Sequence, residues 1–153
     1  MKEKLIHSLL KIDPAHLNAY SSGLLQGKAY RILNMHLTEA LLPFGLTIPE
    51  WKLLGQLYDH GDMRLAEIAE RLNVEAPIVT LLIDTLEKKM FVTKTNDKND
   101  RRVKNITATA KGTKIIPDIE KVVKTTMAEL LTGVSRSDLL GYIRVLEAIV
   151  DNG

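Results

Sequence analysis

Residues 64–90 read RLAEIAERLNVEAPIVTLLIDTLEKKM. Leu65, Ile68, Ala69 and Leu72 recur at the spacing that places them on one face of a short helix. After a brief break the periodicity resumes, with Val79, Leu82, Ile83 and Leu86 on the inward face of a second helix. Pro77 falls in its first turn, where a missing N–H costs nothing. Two closely spaced helices with the small Ala69 before the turn form a helix-turn-helix. Immediately downstream, FVTKT (91–95) and VKNITAT (103–109) are rich in β-branched residues and predict two strands. They are joined by a loop crowded with Asn, Asp, Lys and Arg, so a basic hairpin follows the second helix and makes the unit winged.

Outward from this unit, residues 16–42 have helical spacing (Leu17, Tyr20, Leu24, Ala29, Leu33, Leu37, Leu41), and Pro43 and Gly45 end the pattern. Thr47-Ile-Pro-Glu50 is a capping box that opens the helix WKLLGQLYDH, closed by Gly61. On the other side, KIIPDIEKVVKTTMAELL closes at Gly133, and SRSDLLGYIRVLEAIV opens with Ser135 as cap and Asp138 in the first turn. The expected fold is mainly α with a small β-hairpin wing (α+β): a winged helix-turn-helix with N- and C-terminal dimerisation helices. The expected boundaries are 1–46 for the N-terminal helices, 47–112 for the DNA-binding lobe and 113–153 for the C-terminal helices. The last two helices and Leu5, Ile6, Leu9 and Leu10 carry more apolar surface than a small winged module covers. A dimer built from both termini would bury it; the alternative is packing on the long first helix.

At 153 residues, 45% hydrophobic and 26% charged, the chain suits one soluble globular unit. It has no cysteine, which removes disulfides, thiolate metal sites and thiol sensing and fits a cytoplasmic location. No apolar run approaches the ~20 residues that span a bilayer, and the segment MKEKLIHSLLKIDPAH is expected to be a helix or arm, not a signal peptide. Charge is uneven. Of 21 basic and 19 acidic residues, nine basic and two acidic lie between Lys88 and Lys114, net +7, leaving the rest at −5. Such a block is the sequence form of polyanion binding. No phosphate loop, nucleophile elbow or paired-carboxylate motif is present, so no enzyme and no cofactor are expected. Asp97–Arg102 lacks the glycine and the distal glutamate of an EF-hand, and the four histidines are scattered, with only His36 and Glu39 sharing a helix face. No metal site is expected.

FGLTIPEW (44–51), LAEIAERLNV (65–74), LIDTLEKK (82–89), DKNDRR (97–102) and ATAKG (108–112) together resemble the MarR family of winged helix-turn-helix transcriptional regulators. The resemblance runs from about residue 16 to residue 150, in the family's order. Its most specific part is Asp100, Arg102, Thr109 and Gly112. It implies a two-fold homodimer on a pseudo-palindromic DNA operator, with a recognition helix (about 75–89) in each major groove and a wing at each adjacent minor groove. It further implies that Arg102 enters the minor groove with Asp100 holding its guanidinium, while Lys94, Lys98, Arg101 and Lys104 meet phosphates.

The recognition helix departs from the family pattern. Leu81 follows Thr80 where an arginine is usual, Thr85 fills another basic position, Met90 replaces a glycine and Glu75 takes the cap position. Residues 75–87 contain three acids and no basic residue, leaving Ala76, Pro77 and Thr80 to touch thymine methyls or a base edge. The expected function is a repressor released by a small aromatic or anionic effector whose binding residues are unknown. The alternative is a winged-helix protein-interaction module with weak or non-specific DNA binding.

Overall fold

A computed structural model describes residues 19–97 and 103–153, and the chain divides into two compact units, 1–39 and 40–153. Helix α1 (Ala19–Leu41) matches the long helix expected over 16–42, whose first three residues lie outside the described ones. It passes into a 3-10 turn, Leu42–Phe44. Gly45, at φ 65°, ends the turn in the left-handed region and donates its N–H to the Leu42 carbonyl at 3.0 Å.

The second unit is built outward from α2 (Ile48–His60). Its capping box forms as the sequence predicts: the Thr47 hydroxyl accepts from the Glu50 N–H, and Glu50 accepts from the Thr47 N–H at 2.8 Å. A two-residue strand β1 (Met63–Arg64) leads into α3 (Leu65–Leu72), where Glu67 reaches back to the Arg64 N–H at 2.7 Å. The α3 helix ends on Asn73, left-handed at φ 51°, with Asn73 N–H on the Glu70 carbonyl and Val74 N–H on the Ala69 carbonyl. That pairing is a Schellman motif, and asparagine tolerates the φ it requires. The tight turn delivers α4 (Ala76–Lys88), whose Val79, Ile83 and Leu86 are buried and whose Leu82 is half-buried.

Strands β2 (Val92–Asn96) and β3 (Lys104–Ala108) form the hairpin in antiparallel register, Val92 opposite Ala108 and Asn96 opposite Lys104. The sheet has a third member that periodicity did not predict. β1 pairs with β3 through Met63–Ile106 and Arg64–Asn105, giving the order β1-β3-β2. Met63, Val92 and Ile106 join Leu53, Leu54, Leu57, Ile68, Ile83, Leu86 and Phe91 in one core. Helix α5 (Ala110–Leu130) begins directly after β3 and contributes Ile116, Ile119 and Val123. The final helix α6 (Arg136–Asn152), capped by Ser135 as predicted, buries no residue; Tyr142, Val145, Ile149 and Val150 are among its exposed side chains. No helix among the described residues is long and apolar enough to cross a membrane.

Candidate nucleic-acid interface

The outer surface of α4 is set by helical geometry. With Val79, Ile83 and Leu86 inward, Ala76, Pro77, Thr80, Leu81 and Lys88 are exposed. Thr80 donates its hydroxyl to the Ala76 carbonyl at 3.0 Å and Thr85 donates to the Leu81 carbonyl at 2.9 Å. Glu75 stands at the N-cap but makes no side-chain cap bond. A shallow cleft of about 550 Å³ opens beside the α3–α4 turn, walled in part by Glu70, Glu75 and Ile78, and its two carboxylates suit no anionic ligand.

The other end of α4 is anchored by an ion pair between a half-buried lysine and a buried glutamate. Lys89 reaches across 39 residues to both carboxylate oxygens of Glu50, at 2.7 and 2.8 Å, and to the Gly45 carbonyl at 2.8 Å. Glu50 is 2% exposed. Burial pushes its pKa up, but hydrogen bonds from Lys89 and from the Thr47 backbone and side chain, with the Lys89 charge, outweigh it and hold the carboxyl below its ordinary value. The chain leaves the helix through Met90, left-handed at φ 63°, in a second Schellman arrangement. Lys111 donates to the Lys89 carbonyl at 2.9 Å and lies 4.7 Å from the centre of the Phe91 ring.

The wing is fixed at both strands. Thr109 donates its hydroxyl to the Met90 carbonyl at 2.7 Å and accepts from the Gly112 N–H at 3.0 Å, so one side chain caps α5 and ties it to the start of β2. Gly112 lies against the Phe91 carbonyl: a Cβ there would stand 2.2 Å from that oxygen. Helix and hairpin therefore approach at a distance only glycine permits. At the far end of the strands Asp97 accepts from Arg64 and from Asn105, each at 3.4 Å.

Lys94, expected from its charge to meet phosphate, is placed differently. Strand alternation puts it on the Val92 face, opposite Ile106, and hence toward α4. Its ammonium bonds Asp84 and lies 2.9 Å from Glu87. The hydrogen bonds with Asp84 and then Glu87 raise its pKa above the ordinary lysine value. Lys104 is exposed and bonds Asn96 across the hairpin. Ala76, Pro77 and Thr80 share the exposed face of α4. Lys98, Asp100, Arg101 and Arg102 lie outside the described residues. Sequence reasoning placed Leu81 where an arginine is usual but left it out of the candidate contacts, although it lies one turn beyond Pro77 and is exposed. It also missed the Glu50–Lys89 pair, for which no local signal exists.

A three-stranded sheet attached to a tri-helical core, with the second helix of a tight turn exposed beside a hairpin, defines a winged helix-turn-helix protein. Residues 46–104 match the MarR family. The matched stretch runs from α2 through β2, so the likeness to the family is carried by this lobe. The HTH-type transcriptional repressor MdtR of Bacillus subtilis (strain 168) is 29% identical over 111 residues, covering 72% of this chain and 72% of that protein. A mutant of MarR from E. coli complexed with operator DNA has a TM-score of 0.78 at 21% identity, covering 83% of this chain and 91% of that one. BpsR of Bordetella bronchiseptica, whose DNA binding is regulated by 6-hydroxynicotinic acid, has a TM-score of 0.80 at 18% identity, covering 88% and 96%.

Proposed function

We propose that the protein is a transcriptional repressor that binds a pseudo-palindromic operator as a homodimer, with α4 in the major groove and the wing at the adjacent minor groove. The observation that carries this reading is the exposed outer face of α4 held beside a hairpin whose loop is basic. The MdtR likeness and the operator-bound relative support it. In this reading Arg102 enters the minor groove, Asp100 orients it, and Lys98, Arg101 and Lys104 meet phosphates. Lys94 instead neutralises Asp84 and Glu87, which lowers the repulsion between an acid-bearing recognition helix and DNA. The unburied apolar face of α6 supplies dimer surface. A small aromatic acid is the effector class, as for BpsR; its binding would favour a dimer whose recognition helices no longer match successive grooves.

Fluorescence anisotropy with the DNA flanking its own gene, over a salt series, tests the reading. Binding should saturate at one dimer per site, with log K falling by roughly 0.9 per phosphate contacted for each tenfold rise in salt. Arg102→Ala should remove most of the affinity. Binding that is absent at low salt, or indifferent to that substitution, would favour a protein-interaction module instead.

A further inference from the structure

Residues 75–87 contain no Lys, Arg, His, Asn, Gln or Ser. The side-chain donors of this stretch are therefore the hydroxyls of Thr80 and Thr85, and both are spent on carbonyls of their own helix. Of its three acids, Glu75 is exposed at the N-cap without a cap bond, while Asp84 and Glu87 each give one carboxylate oxygen to Lys94, so the helix presents acceptors but no unengaged side-chain donor to the base edges. The large exposed side chain at the front of the helix is apolar: Leu81 is 67% exposed, flanked by Pro77 and by Thr80, whose hydroxyl hydrogen is committed to the Ala76 carbonyl. A major groove presents one apolar feature among its base-edge groups, the thymine 5-methyl.

We infer that Leu81, with Thr80 and Pro77, is the specificity-determining element of this protein and reads thymine 5-methyl groups by contact. This rests on α4 entering a major groove, as proposed above. Leu81 is suited to the task because its side chain is already exposed and lies outside the buried core. Reading by methyl contact also explains how a helix without arginine can discriminate. A cytosine at the same place leaves the leucine against a bare ring edge, and an adenine or guanine meets it with polar groups it cannot satisfy.

The test compares the duplex flanking the gene with the same duplex carrying deoxyuridine for every thymidine. Uracil keeps each hydrogen-bonding group and each phosphate and lacks only the methyl. Wild-type protein should bind the uracil duplex roughly fourfold more weakly for each methyl contacted, the loss expected for one buried carbon. Leu81→Ala should bind the thymine duplex more weakly yet show little further loss on the uracil duplex. Equal wild-type affinity for the two duplexes overturns the inference and leaves the repressor reading standing. A thymine-to-uracil loss that is unchanged in Leu81→Ala removes Leu81 from the role. Failure to bind either duplex at low salt overturns both readings together.

Discussion

Replacing Glu50 by Gln isolates the ion pair that joins the start of α2 to the end of α4. Glutamine keeps the volume and one carbonyl oxygen, which in the place of Oε2 can still accept from the Thr47 N–H and from Lys89, each at 2.8 Å, while its amide NH2 replaces the oxygen that took the second Lys89 bond. The negative charge is lost. Lys89 then keeps the Gly45 carbonyl at 2.8 Å but faces a neutral amide from a side chain that is 32% exposed. Breaking a fully buried pair costs about 3–5 kcal/mol. Because the ammonium can turn partly to water, the expected loss is roughly 2–3 kcal/mol. Urea unfolding should show it as a lower midpoint with an unchanged m-value.

Lys89→Met alone should cost a similar amount, since it strands the buried carboxylate. The double variant should recover much of the loss, because removing both charges removes the desolvation penalty with the attraction. The pair also has a pH signature. Glu50 is depressed in the folded state, so unfolding takes up protons in acid. Its contribution is present above the unfolded value of about 4.3 and is lost as pH falls through the lower folded value. The stability gap between wild type and Glu50→Gln should therefore be constant near neutrality and close below about pH 4. Additive single-variant losses, or a gap that widens in acid, would refute the reasoning.

Two further perturbations test the lobe. Lys94→Met exposes Asp84 and Glu87 to the DNA, and two unscreened acids about 8 Å from phosphate should weaken binding about fivefold; adding Asp84→Asn and Glu87→Gln should restore it. Anisotropy decides the point, since a lysine that contacted phosphate would leave the triple variant as weak as the single one. Met90→Gly relieves a left-handed residue whose side chain is 64% exposed. It should raise stability by about 0.5–1 kcal/mol, the left-handed penalty less the added freedom of glycine in the unfolded chain; an unchanged or lower urea midpoint would contradict this.

The features legible in the sequence are those whose causes are local. The Thr47–Glu50 capping box, the Ser135 cap and the inward faces of α3 and α4 each follow from residues within one or two turns of each other. β1 escaped because two residues are too few to show an alternation, and its pairing partner lies some forty residues away. The Glu50–Lys89 pair escaped for the same reason of distance. Lys94 was legible in principle. Its place two residues after the apolar Val92 puts it on the core side of the strand, but a count of charge along the chain carries no direction. Likewise the glycine at 112 marked a boundary in sequence, while the Phe91 carbonyl that forbids a Cβ there belongs to tertiary structure.

The same distinction changes what the basic block means. Lys89 serves Glu50, Lys94 serves Asp84 and Glu87, and Lys111 serves the Lys89 carbonyl and the Phe91 ring. Three of the nine cations counted between residues 88 and 114 thus hold the lobe together. Charge that neutralises a neighbouring acid releases no counterion from DNA, so the salt dependence should reflect fewer contacts than composition implies. In the proposed reading affinity falls chiefly to the wing loop, and discrimination to a helix front that carries no basic side chain. These contributions answer differently to salt. Phosphate contacts weaken for every sequence alike, whereas contact with a thymine methyl is indifferent to ionic strength. A protein built this way loses affinity in salt while keeping its preference among sequences, which is how a recognition helix without arginine can still recognise.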